Sequence, residues 1–252
     1  MLASAIFLST ATSQATLQVC ERSDADILNM LHDRDNRLTY GNQGGLLNGG
    51  VCWWHSRFER AASYLAEFRP ELPKPSESEA RKISLRLSHL KITQIPGYHN
   101  LAEFSKDHPD AIQKALNLWQ IRDGFINQSW IFGLKGSSSL EPAQLEMHIK
   151  KIVQQFRDSP KPVFLMLQYP GIVAHSYLLL GVRDMENGYQ LEVADSNYPG
   201  DVGVQNYYKG SSSLKNDGDH FVPYVGFNRD FKRVHTRRDE YCAQQSELAS
   251  FD

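Results

Sequence analysis

Cys52, His175 and either Asp195 or Asn197 are the side chains that could supply a nucleophile, a base and an orienting group. A thiolate needs stabilisation, and the start of a helix supplies part of it through its dipole and free N–H groups. Cys52 sits where a helix must begin. The preceding stretch, 41–50, holds five glycines and cannot be helix interior. After Cys52, the apolar residues Trp54, Phe58, Ala61, Ala62, Leu65 and Phe68 recur at spacings of three and four. Arg57, Glu59, Arg60 and Glu67 lie between them, so the spacing predicts an amphipathic helix from Cys52 to Phe68. The glycine-rich loop offers backbone N–H groups for an oxyanion, and Gln43 is its side-chain candidate. His175 opens an apolar run, Ser176 to Val182, that reads as a strand. Asn187-Gly188 turns the chain back into a return strand, Tyr189 to Ala194. That hairpin brings Asp195 and Asn197 to the end of the sheet where His175 lies. The three roles of thiol attack on a carbonyl are then filled.

Each piece alone has an ordinary structural explanation. A buried cysteine is usually a small core hydrophobe, and Asp-Ser-Asn-Tyr-Pro-Gly is a good turn in its own right. The chain order shifts the balance: glycine loop, Cys at a helix start, His at a strand start, Asp and Asn after the adjacent strand. Asp195 and Asn197 are two apart, so on an extended chain both would point to one side. Asp195 is preferred as the orienter, because its charge favours an imidazolium more than a neutral amide can. Asn197 then shapes the turn. Gly49, Gly50, Trp53 and Ala174 flank the reactive pair and are the expected substrate-binding positions. Cys52-Trp53-Trp54-His55 is one metal-type pair without a second, so no metal and no cofactor is expected.

The elements that must hold these groups follow an α+β order. Residues 23–34 read as a short capped helix, and 77–158 as mainly helical, most clearly Asp110–Phe125 and Glu141–Phe156. Pro70-Glu71-Leu72-Pro73 ends the helix that starts at Cys52. From Pro160 onward the pattern changes to strands: Val163–Leu167, the hairpin above, then Tyr207-Tyr208 and Phe221–Phe227. The expected organisation is a helical lobe at about 20–158 and a sheet lobe at about 159–235, forming one domain over 20–252. Residues 1–19 read as a signal peptide lacking its positive start, or as an ordinary N-terminal segment.

Composition narrows the function classes. Hydrophobic residues at 41% and charged residues at 22% fit a globular chain with a real core. A net charge of −2 gives no footprint for nucleic acid, and no segment reaches the ~20 apolar residues a membrane helix needs. The basic group Lys232, Arg233, His235, Arg237 and Arg238 reads as a solvated surface. Three cysteines, in an exported protein, point to one disulfide and one free thiol. Cys20 and Cys242 lie near the two ends, which are often neighbours in space, leaving Cys52 free. The expected compartment is secreted or periplasmic, and otherwise cytoplasmic. The expected state is a monomer.

Three stretches carry a resemblance to a known family: Asn42-Gln43-Gly44 with Gly50-Val51-Cys52-Trp53; Ala174-His175-Ser176-Tyr177 continuing to Val182; and Val193-Ala194-Asp195-Ser196-Asn197-Tyr198-Pro199-Gly200. Together they resemble the papain-like superfamily of cysteine peptidases. The last is similar to the Asp-Pro-Asn-Tyr motif of its bacterial and effector branch more than to the Asn-Ser-Trp of papain itself. The resemblance runs from Gly41 to Gly200, apart from 70–160. It implies a papain-like α+β fold with the nucleophile at a helix N-terminus. It also implies hydrolysis of peptide or amide bonds in a protein or peptide substrate through a Cys-His-Asp/Asn triad. A deamidase or transglutaminase-like acyl transferase would use the same order of residues. One feature departs from the family: Gln43 lies nine residues before Cys52, further than the family's oxyanion glutamine, and Asn48 lies four before. Gln43 over a longer loop, Asn48, or backbone N–H groups alone would complete the oxyanion hole. The departure also admits an inactive papain-like binding module or effector.

Overall fold

Ser23 starts the first helix of the computed structural model, in which residues 18–46, 50–126, 137–170, 173–216, 218–226 and 228–249 are described. The Asp26 N–H donates to the Ser23 hydroxyl and the Ser23 N–H to the Asp26 carboxylate. This reciprocal cap holds α1 (Asp24–His32). The second helix, α2 (Cys52–Leu65), is the axis of the molecule, and every one of its residues is buried. Its polar residues do not form the solvent face that the apolar spacing implied. Arg57 lies over the Trp119 ring at 4.5 Å and pairs with Asp123 and Asp230. Glu59 accepts the Leu38 N–H at 2.9 Å, and Arg60 faces the Phe164 and Phe231 rings. The reason is that a later helix and the segment before α2 lie across that stripe.

The helix also ends earlier than expected. At Leu65 the chain passes straight into β1 (Ala66–Arg69), which pairs in parallel with β2 (Thr93–Pro96), so Phe68 is buried from a strand. Between and after them stand α3 (Glu77–Ser88), α4 (Leu101–Asp107) and α5 (Pro109–Ile121). The last turn of the predicted 110–125 helix widens into a π-type turn, Arg122–Ile126. Pro142 opens α6 (Pro142–Asp158), as the sequence indicates.

The sheet has six strands: β3 (Val163–Gln168), β4 (Ala174–Met185), β5 (Gly188–Asp195), β6 (Val202–Tyr208), β7 (Leu214–Asn216) and β8 (Asp219–Val225). Their order is β6-β5-β4-β3-β8-β7, antiparallel throughout. The two end strands, β6 and β7, approach each other, so the sheet curls. The β4–β5 turn lies one residue earlier than expected, at Glu186-Asn187. Gly188 opens β5 with φ +152°, where a Cβ would meet the Tyr207 carbonyl oxygen at 1.8 Å. A register shift between Leu179 and Gly181 then sets which β4 side chains share a face with the end of β5: Tyr177 pairs with Asp195.

The chain closes with α7 (Asn228–Ala249), which begins inside the range expected for the sheet lobe and packs on α2. Its sparse apolar residues hid it in the sequence. The basic group is partly engaged: Arg238 donates to the Arg22 carbonyl at 3.1 Å, and His235 packs on Phe231 and Tyr64. Cys242 on this helix is bonded to Cys20, 222 residues away, and Cys52 is the free thiol. Among the described residues no helix is long and apolar enough to cross a membrane. Residues 1–17 of the expected leader, with Asn48 and Gly49, lie outside the described residues.

Candidate active site

Cys52 is the first residue of α2, and Val51 at the N-cap makes no side-chain capping bond. The dipole and the first-turn N–H groups therefore meet the thiol side of the helix. Cys52 is 8% exposed, and its S–H donates to the Ala174 carbonyl at 3.9 Å. Ala174 opens β4, so the next residue, His175, stands beside Cys52. Its Nε2 bonds Asp195 Oδ1 at 2.6 Å, and the Cys52 side chain lies near enough to act on its charge. With Nε2 committed to Asp195, Nδ1 is the nitrogen left for the thiol. Burial pushes the His175 pKa down. The bond to Asp195 and the neighbouring Cys52 more than reverse this, and the pKa is raised to about 10.

Register explains why Asp195 and not Asn197 meets the ring. Extending the Tyr177–Asp195 pairing by two residues would set Asn197 opposite His175. The chain turns first: the Tyr198 N–H donates to the Asp195 carbonyl at 3.1 Å. Asp195 therefore reaches the ring diagonally, as neighbours two apart on one face can. Asn197 is exposed. Its N–H donates to Asp195 Oδ1 at 2.8 Å, and its own Oδ1 accepts from Asn42 Nδ2 at 3.2 Å.

Two contacts behind the pair lock α2 to β4. The Trp53 indole N–H donates to the His175 carbonyl at 3.1 Å, and the Ser176 hydroxyl to the Cys52 carbonyl at 2.9 Å, with Ser56 Oγ 3.1 Å from Ser176 Oγ. Trp53 is buried in this link, and Ala174 is half-buried. His55 turns away from Cys52, with Nε2 3.0 Å from the Tyr40 carbonyl.

The glycine-rich loop is held by residues the sequence did not single out. Gln113, Asn117 and Gln120 form one half-buried face of α5, beside its buried Ile112, Ala115, Leu116 and Trp119. Gln113 Nε2 donates to the Gln43 carbonyl, Asn117 Oδ1 accepts the Gly45 N–H, and Gln120 Oε1 accepts the Leu46 N–H. Gly50 N–H donates to the Gly44 carbonyl and Val51 N–H to Asn42 Oδ1. These four loop N–H groups, expected to face an oxyanion, are engaged within the loop and its supports. The Gln43 side chain is exposed. The spacing of three amides at i, i+4 and i+7 was the available signal for this cradle. No protein-family model, no curated protein and no solved structure matches this chain.

Proposed function

We propose that this chain is a papain-like cysteine hydrolase acting on amide bonds of peptides or proteins, with Cys52 as nucleophile, His175 as base and acid, and Asp195 as orienter. The observation that carries the reading is the His175 ring, held at one nitrogen by Asp195 and meeting Cys52 at the start of α2. The Cys52 thiol gives its proton to His175, the sulfur attacks the carbonyl carbon, and the C=O pair moves onto oxygen. The first-turn N–H groups of α2, that of Cys52 included, stabilise the oxyanion. His175 gives its proton to the leaving nitrogen as the C–N bond breaks, leaving a thioester. It then takes a proton from water, which attacks the thioester and frees Cys52. Asp195 holds the ring and balances the imidazolium charge throughout.

Two outcomes share this chemistry. If the acyl donor is a glutamine side chain, the same steps give deamidation with water or acyl transfer with an amine. A second reading, a papain-like binding module without turnover, draws on the exposed Gln43 and the engaged loop N–H groups. A vinyl-sulfone or epoxide probe read by mass spectrometry separates the readings. The hydrolase reading expects the folded protein to label at Cys52 and the Cys52→Ala variant not to label. Labelling of Cys52 only after unfolding would sink it. New peptide termini against ammonia release then divide the two enzyme outcomes. The Cys20–Cys242 bridge fits action in an oxidising compartment, secreted or periplasmic.

A further inference from the structure

The peptide plane joining Gly50 to Val51 is the last one before the plane that carries the Cys52 N–H. Both of its polar atoms are taken by side-chain amides from separate parts of the chain. Gln120 Nε2 donates to the Gly50 carbonyl at 3.0 Å, and the Val51 N–H donates to Asn42 Oδ1 at 2.5 Å. Each amide is anchored at its other end. Gln120 Oε1 accepts the Leu46 N–H at 2.8 Å, and Asn42 Nδ2 donates to Asn197 Oδ1 at 3.2 Å. The Asn42 N–H also donates to the Ser196 carbonyl at 2.6 Å. The plane is thus gripped between α5 on one side and the turn that follows Asp195 on the other. Gly50 makes room for the grip: its φ is +82°, and a Cβ there would lie 2.5 Å from Asn42 Nδ2.

A peptide plane is rigid, so fixing both of its polar ends fixes its orientation. Val51 makes no side-chain capping bond, so the entry angle of α2 is set from outside the helix. We propose that Asn42 and Gln120 form a two-sided amide clamp that aims the first turn of α2 and so positions Cys52 against His175. The proposal rests on the thiol-hydrolase reading. Neither residue is placed at the reacting atoms, and both are positioning residues. The two halves differ in chemistry: the plane uses an acceptor at position 42 and a donor at position 120. Asn42→Asp keeps the acceptor, whereas Gln120→Glu sets a carboxylate oxygen against the Gly50 carbonyl.

The test compares Asn42→Ala, Asn42→Asp, Gln120→Ala and Gln120→Glu in the full-length oxidised protein. It reads the rate of Cys52 alkylation by iodoacetamide, the exchange of the Val51 amide proton by NMR, and thermal melting. Both alanine variants are expected to slow alkylation roughly 10- to 100-fold while remaining folded, the scale on which small misplacements act. Asn42→Asp recovers most of the rate and Gln120→Glu recovers none. The Val51 amide exchanges faster in Asn42→Ala and stays protected in Asn42→Asp. Unchanged alkylation in both folded alanine variants, or equal recovery by Asp and Glu, overturns the clamp. If the alanine variants fail to fold, the Asp and Glu pair decides alone on the same criterion. If Cys52 of the unaltered protein is no more reactive than an unfolded thiol, the hydrolase reading falls separately. The Val51 exchange then decides the clamp: faster exchange in Asn42→Ala supports it, and unchanged exchange removes it.

Discussion

Helix α2 is gripped by two polar networks of different make. At its first turn the ties are neutral amides, hydroxyls and one indole, with the His175–Asp195 pair beside them. Half a helix further on they are charges: Arg57 between Asp123 and Asp230, and Arg60 against two aromatic rings. Burial pushes Arg60 down to about 10, with Asp230 pulling the other way. The first network orients one sulfur atom by directional bonds between backbone groups. The second fastens α7 and the turn after α5 to the core by Coulomb attraction where Arg57 itself is buried. Damage to the first should cost reactivity and little stability; damage to the second should do the reverse.

The largest effect tests the first half of that contrast. Asp195→Ala should lower amide turnover by roughly four orders of magnitude, since it frees the imidazole that everything else holds in place. Its melting temperature should fall less than that of the next variant. Next comes Arg57→Ala, which removes the guanidinium between buried Asp123 and half-buried Asp230. Denaturant titration should show a loss of about 3–5 kcal/mol, while Cys52 of the remaining folded protein alkylates at its normal rate. Equal losses of turnover and stability in both variants would erase the distinction.

A third prediction concerns the tie that sits outside both networks. Reducing Cys20–Cys242 releases a loop closed over 222 residues and should lower stability by about 2–5 kcal/mol, without slowing Cys52 in the folded protein. The fourth follows from His175. Its folded pKa, about 10, is raised above the ordinary value of 6.5. The stability it contributes is complete below pH 6.5 and is lost as pH climbs through about 10. Denaturation midpoints measured across that window should fall in the unaltered protein and fall less in His175→Gln. The smallest effect belongs to Asn197→Ala, which removes one neutral bond to Asn42 and should cost about 1 kcal/mol, with turnover mostly kept. Loss of activity in Asn197→Ala and retention in Asp195→Ala would reverse the assignment of the orienting group.

The same contrast explains what the sequence could disclose. The first network is written in residues that change local backbone geometry: glycines 41–50, an Asx-Pro-Gly turn and a tight hairpin. Such residues mark positions directly, so the α+β order, strands β3 to β5 and the approach of Cys52 to the His175–Asp195 pair were legible, while β1, β2 and β7 were not. The hairpin alone could not separate Asp195 from Asn197. That choice depends on the shift near Leu180 and the turn ending β5, which only the paired strands reveal. The second network uses charges at positions that, in an isolated helix, read as facing water. Arg57 and Arg60 are buried because α7, whose Asp230 lies 173 residues beyond Arg57, covers them, and no local pattern announces so distant a partner. Gln113, Asn117 and Gln120 were missed for a related reason: a polar helix face normally meets solvent, and this one meets a loop.

The bridge between Cys20 and Cys242 has a topological consequence. It makes the chain from 20 to 242 a covalent ring, broken open only at the sulfurs. A protease that cuts an exposed bond inside that ring, for instance in the exposed stretch from Arg69 to Lys74, opens the ring into a line but releases no fragment. The two pieces stay tethered at their far ends, and every strand of the sheet remains in one of them. A nicked molecule thus keeps all its parts at high local concentration, and two cuts are needed before any piece can leave.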